Sequence, residues 1–204
     1  MVIGITLNEV LRDFLGQLTY TYEKYFNEID LEEEDVKSMD LINYYKFDSI
    51  DDMNKFLYTE AALEIFGHAG QKTDNLMTRF NEFITEVSDD EEHTIKIISR
   101  EADKSIPATM FFLSKLGCRA TDIDFVIKYE DKWNDIDVLV TANPKAIELK
   151  PKGKVSVKID SSYNEDVKSD FKFGSLSEFM DDEYALDNIE DKLNKGKTKK
   201  RLSK

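Results

Sequence analysis

Cysteine occurs once in this sequence, tryptophan once and histidine twice. The lone Cys118 excludes an internal disulfide and a thiolate metal cluster, and it suits a reducing compartment. At the end of a helical pattern it reads as a small apolar residue. His68 and His93 are too few and too isolated for a His-based metal site, and the break Gly67-His68-Ala69-Gly70 reads as a turn. No run approaches the roughly 18 consecutive apolar residues of a membrane-spanning helix, and no basic flank precedes the first apolar segment, so neither a transmembrane helix nor a signal peptide is expected. Positive charge is scarce too, with 28 Lys and Arg against 42 Asp and Glu. Seven of those cations fall in residues 192–204, which contain no acid, so the preceding 191 residues carry a net charge of −21. Such a body repels nucleic acid, and only the basic end could attract it.

The remaining composition is that of a globular chain: 41% apolar residues and 22 Phe and Tyr in 204 positions, enough for one core with a small inserted subdomain. Residues 2–5 form a short continuous apolar run, the pattern of a central parallel strand buried on both faces. Val10, Leu11, Phe14, Leu15, Leu18, Tyr22, Tyr25 and Phe26 recur at spacings of three and four and predict an amphipathic helix. Between residues 31 and 90 three helical patterns and no strand are evident. One is brief, over 35–42; one covers 51–66, capped by Ser49 or Asp51; and one covers 73–86, with Leu76, Met77, Phe80, Phe83 and Ile84 on one face. Strands follow at 94–99, 124–127, 137–140 and, alternating as if exposed on one side near a sheet edge, at 154–159. A helix over 106–116 is closed by Gly117, with Ser105 as its cap and Pro107 in its first turn. Leu176, Phe179, Met180, Leu186, Ile189 and Leu193 mark a terminal helix with Asp181, Asp182 and Glu183 near its start. Strands separated by helices imply right-handed crossovers. The expected fold is α/β, a three-layer sandwich with a central parallel sheet, a small helical cap insertion and a C-terminal helical arm. The expected division is a domain at 1–180, its cap region at 15–90, and an arm with a basic tail at 181–204.

In such a sheet, ligands sit outside the carboxyl ends of the strands. Four segments fall there. The chain opens Ile3-Gly4-Ile5-Thr6-Leu7-Asn8-Glu9-Val10-Leu11-Arg12-Asp13; Ser99 follows Ile97-Ile98; Lys132 closes the stretch 128–132; and Asp137-Val138-Leu139-Val140-Thr141-Ala142-Asn143-Pro144 comes last. In this order they resemble the four motifs of the haloacid dehalogenase superfamily, and within it the small deoxyribonucleotidase-like phosphatases. The resemblance implies that Thr6 stands at the nucleophile position and Asn8 at that of the general acid/base. It places Ser99 where a hydroxyl binds phosphate, Lys132 where a lysine stabilises phosphoryl charge, and Thr141 and Ala142 where two aspartates bind magnesium. A threonine hydroxyl without an adjacent base is a poor nucleophile, and an asparagine amide cannot shuttle a proton. Thr141 and Ala142 leave magnesium underligated. The expectation is a catalytically inactive relative with no metal and no cofactor, its core relieved of like-charge repulsion. Ser99 and Lys132 remain as a candidate anion-binding pair.

The segments 99–101, 105–109 and 111–115 resemble phosphatase-like proteins of tailed bacteriophages, the crAss-like group among them. That resemblance implies a structural subunit of the virion, in its tail or collar rings, assembled in the cytoplasm of the bacterial host. Its partners would be other tail proteins and copies of itself, with no membrane. The alternatives are a magnesium-dependent nucleotidase or phosphatase with a rearranged site, and a nucleotide-binding regulator. The charge split adds a mode of contact: the arm after Phe179 grips a neighbour through Leu186, Ile189 and Leu193 while its cations steer it. Acidic clusters at 32–35 and 88–92 read as solvated edges that could attract calcium weakly, and Trp133 reads as a packing residue.

Overall fold

In the computed structural model, all residues are described except 28–30, 33–34, 90–92 and 203–204, and for residues 89 and 196–202 the backbone alone. The acidic clusters at 32–35 and 88–92 therefore fall partly outside the described residues, as do the side chains of most of the basic tail. Six strands form one sheet: β1 (Val2–Ile5), β2 (Thr94–Arg100), β3 (Ile123–Val126), β4 (Val138–Thr141), β5 (Val155–Ile159) and β6 (Phe171–Phe173). Their spatial order is β3-β2-β1-β4-β5-β6, and every pairing is parallel. The architecture is thus the α/β layered fold with a central parallel sheet.

Side-chain alternation sorts the sheet into two unequal faces. Ile3, Ile5, Ile97, Val138, Val140 and Val157 point into the large core. Ile98 and Leu139 point the other way, into a small cluster with Trp133, Ile136 and Ala146. Gly4 lies on this second face, where an added Cβ would come within 2.8 Å of Ile98 and 2.9 Å of Ile136, so glycine is what lets them close over β1.

The large core is covered by helices. α1 (Phe14–Phe26) buries Phe14, Leu15, Leu18 and Tyr22. It starts later than the Val10 periodicity predicts, because the Leu7 carbonyl accepts the N–H groups of Val10, Leu11 and Arg12 in a tight turn, with Glu9 at φ 58°. The Glu9 carboxylate then reaches forward to accept from the backbone of Phe14 and Leu15 at 3.0 and 2.8 Å, capping α1. The helix expected over 51–66 is α2 (Ile50–Lys55), capped by Ser49, followed by two wide π turns, Phe56–Glu60 and Leu63–Gly67. Next comes α3 (Leu76–Asp89), which lies on β2 and belongs to the layer covering the sheet. Within the region 15–90 expected as the cap, α3 packs on β2 while α1 packs on the second π turn. Periodicity shows that a helix has an apolar face but not what covers it.

α4 (Ser105–Lys115) ends at Gly117, whose φ of +68° suits a residue without Cβ. Ser105 does not cap it: its hydroxyl bonds back to Ala102. Over β1, β2 and β4 the second face receives a 3-10 turn, Glu130–Trp133, and α5 (Pro144–Glu148), joined by the Trp133 indole donating to the Ala146 carbonyl at 2.7 Å. The expectation that the 154–159 strand is exposed on one side is corrected here. β5 is buried on both faces, because residues 160–170 fold over Ser156 and Lys158, whose ammonium donates to the Asn164 carbonyl at 2.9 Å. Asp170 fastens that loop by accepting from Ser156 N–H, by pairing with Lys150 and by pairing with Lys192 at 2.9 Å. Burial alone would raise its carboxyl; these three partners outweigh burial and hold it at about 2.

The terminal helix is two helices. α6 (Leu176–Asp181) ends where Asp182 turns extended, and the Asp182 carboxylate accepts from Tyr184 N–H at the start of α7 (Ala185–Leu202). Ile189 and Leu193 are buried in the core of their own chain, with Leu186 packed against it. This corrects the reading of those three residues as a grip on a neighbour: the apolar stripe that suggested a free arm is the face α7 lays on the sheet.

Candidate functional site

The carboxyl ends of β1, β2 and β4 bring Thr6, Asn8, Ser99, Lys132 and Asn143 around one cavity of about 160 Å³. Met39, Leu41, Met53, Leu57 and Tyr58 from the cap form its apolar roof. Thr141 lies beneath: the Thr6 hydroxyl donates to its Oγ1 at 3.0 Å, and that oxygen also accepts from Asn143 N–H at 3.0 Å. Ala142 is fully buried and does not face the cavity; its carbonyl accepts from the Asn164 amide at 2.8 Å. Of the residues singled out in the sequence, the structure therefore gathers Thr6, Asn8, Ser99 and Lys132, sets Thr141 just behind them, and leaves Ala142 out.

Asn8 is committed to a residue that the motif comparison passed over. Its Oδ1 accepts from Arg12 Nε at 2.9 Å and Nη2 at 2.5 Å. The Arg12 guanidinium is fully buried. It donates to Glu101 at 2.6 Å, to the Thr109 hydroxyl at 2.6 Å and to the Phe66 carbonyl of the second π turn at 3.3 Å. The Phe66 ring lies 4.9 Å from its plane centre and adds a cation–π contact. Glu101 Oε1 also accepts from Ser99 at 2.9 Å and from Thr109 at 3.1 Å, while its Oε2 is buried with no hydrogen-bond partner among the described residues. One ion pair thus ties the ends of β1 and β2 to α4 and the cap.

Lys132 is the free cation of the site. The 3-10 turn sends Trp133 into the second-face core and Lys132 to the cavity, where its side chain is buried without an ion-pair or hydrogen-bond partner among the described residues. Burial lowers its ammonium to about 8; the Glu101 carboxylate opposes that shift and Arg100 adds to it. Around it the floor presents donors. Asn8 has given its oxygen to Arg12, and Asn143 has given its oxygen to Ala146 N–H as the cap of α5, so each has amide N–H groups left. The Thr6 and Ser99 hydroxyls have spent their hydrogens on Thr141 and Glu101, so these two amides and the Lys132 ammonium are the groups left to meet an anion, in a cavity that Arg100 also lines.

The magnesium used by phosphatases of this fold does not fit these residues. Thr6, Thr141 and Ala142 offer no negative oxygen, and Asn8 Oδ1 already holds two Arg12 donors. Proton transfer has no better footing, since the Thr6 hydroxyl is donated to another hydroxyl and not to a base. Sequence reasoning missed Arg12, Glu101 and Thr109. The available signal was a Glu two residues beyond Ser99 and an Arg four beyond Asn8, both in apolar surroundings, where an ionised side chain needs a partner.

No family model matches this sequence, and no curated protein does either. Among solved structures, the fold is similar to the crystal structure of a haloacid dehalogenase-like hydrolase from Burkholderia xenovorans LB400. The TM-score is 0.59, over 89% of this chain and 95% of that one, at 9% sequence identity. The likeness is one of fold, and the fold is of the haloacid dehalogenase type.

Proposed function

We propose that this chain is a phosphatase-fold protein without phosphoryl-transfer chemistry, serving as a structural subunit in the tail or collar of a tailed bacteriophage. The observation that carries the loss of chemistry is the Thr6–Thr141 hydroxyl pair at 3.0 Å. A nucleophilic carboxylate and a metal-binding carboxylate belong at these positions in the phosphatases its motifs resemble, and two neutral groups here satisfy each other instead. The virion setting is supported by the resemblance of segments 99–101, 105–109 and 111–115. Purified protein with magnesium is expected to release no phosphate from nucleoside monophosphates or an aryl phosphate. Magnesium-dependent turnover abolished by Ser99→Ala would overturn this reading in favour of a nucleotidase with a rearranged site. Peptide mass spectrometry of purified particles is expected to find the chain, and its absence from them would remove the virion role.

A second reading, a binder of phosphate esters that does not turn them over, is favoured by the buried Lys132, unpaired among the described residues, together with the remaining amide N–H groups of Asn8 and Asn143 beneath an apolar roof. Calorimetric titration with inorganic phosphate and with a deoxynucleoside monophosphate tests it. Saturable binding that Lys132→Met removes supports this reading; absence of binding to the unmodified protein leaves the structural role alone.

A further inference from the structure

α7 carries charge of opposite sign at its two ends. Asp182, Glu183, Asp187, Glu190 and Asp191 lie at its start and in the turn before it, while residues 192–202 hold six Lys and Arg and no acid. A helix dipole favours this polarity, but it explains charge only in the first and last turns. Asp182, Glu183 and Asp187 are exposed and have no Lys or Arg partner among the described residues. They rim a groove of about 310 Å³ between α3, α6 and α7, floored by Phe83, Val87 and Phe179, where Glu190 lies 3.9 Å from His93.

The chain cannot neutralise this groove with its own basic end. α7 is continuous to Leu202, so at 1.5 Å per residue position 199 stands about 18 Å along the axis from position 187. Two copies with α7 helices antiparallel satisfy both ends together. With the two-fold axis beside residue 193, position 187 of one copy faces position 199 of the other, and Asp191 faces Lys195 of the partner subunit. In the single chain these two side chains are 74% and 78% exposed and share only a loose contact at 3.6 Å, so they are available for such an exchange.

We propose that the chain self-associates as a two-fold dimer through antiparallel α7 helices, each acidic groove receiving the basic end of the other copy. The symmetry is closed, so association stops at two copies. Because Ile189 and Leu193 are already packed inside their own chain, the contact is mainly electrostatic, and salt weakens it. The inference is independent of what the cavity binds.

Sedimentation velocity of the full chain tests it. The dissociation constant is expected to rise roughly tenfold or more between about 50 and about 500 mM salt. Asp187→Lys with Glu190→Lys should leave a folded monomer, as should Lys197→Glu with Lys199→Glu, and mixing the two reversed chains should restore a heterodimer. In a Cys118→Ser background, chains bearing Asp191→Cys and Lys195→Cys should cross-link with each other. A chain that stays monomeric at low salt overturns the proposal, as does a dimer indifferent to both reversals. A monomer whose basic end instead binds anionic vesicles or nucleic acid overturns it too and assigns that end to another partner.

Discussion

Arg12 and Glu101 form an ion pair at 2.6 Å in which neither side chain has any exposed surface. Breaking it from one side leaves an uncompensated charge in the core. Arg12→Met or Glu101→Leu alone is therefore expected to cost ~3–5 kcal/mol, while the two combined should cost much less than the sum. Urea unfolding of the four proteins measures the cycle; additive single effects would show that the two groups do not act as a pair.

Placing acids at positions 6 and 8 should harm the protein before it helps. Thr6→Asp replaces a satisfied hydroxyl with a buried carboxylate that Lys132 across the cavity would compensate only in part, and a loss of roughly 2–4 kcal/mol is expected, unchanged by added magnesium. Asn8→Asp instead meets Arg12, which would keep the new carboxylate ionised and unable to act as an acid. Combining both should yield a folded protein without turnover. Thermal melts with and without magnesium check the first statement, and phosphate release checks the second.

The depressed Lys132 ammonium fixes the sign of a pH effect. Below about 8 both folded and unfolded chains carry the proton, and the fold bears the full penalty of burying it. Between about 8 and the ordinary value of 10.5 only the unfolded chain keeps it, so stability rises with pH across that window. Lys132→Met should abolish the rise and stabilise the protein at neutral pH, by on the order of 3 kcal/mol. Unfolding free energies measured from pH 7 to 10 test this, and a parent protein whose stability is flat over that range would count against a buried free lysine.

Truncation separates the two halves of α7. Removing residues 181–204 takes Ile189 and Leu193 from the core and should unfold the chain or cost several kcal/mol, on the order of ~2–5 for each large apolar side chain lost. Removing only 196–204 should leave the melting temperature unchanged. Circular dichroism melts of both truncations decide, and a fully stable 1–180 fragment would restore the picture of a detachable arm.

The sheet was legible in the sequence where apolar runs were short and unbroken: residues 2–5 and 138–140 fall in central strands, because burial on both faces leaves little room for polar residues there, while β2 was legible from its isoleucines despite Thr94, Lys96 and Ser99. β6 escaped notice, since Phe171–Phe173 is three residues long and its partly exposed Lys172 gives no contrast with a loop. Of the motif positions, Thr6, Asn8, Ser99 and Lys132 line one cavity, with Thr141 behind it and Ala142 outside it. What could not be read was the pairing that holds them. Glu9 reaching to the start of α1, Arg12 to Glu101, and Asp170 to Lys150 and Lys192 all depend on distances in space that spacing along the chain does not encode. The terminal helix misled for a related reason, since an apolar stripe looks the same whether it covers its own sheet or another molecule.

The Thr6–Thr141 hydroxyl pair also makes the route back to an acid-bearing site steep. Changing either residue alone to aspartate strands a charge under the cavity floor, and changing both sets two like charges about as close as the hydroxyls now stand, with Asn8 still held by Arg12. A carboxylate at either of these two positions therefore needs compensation as soon as it appears, and a floor built this way changes more readily among neutral side chains than toward metal ligands.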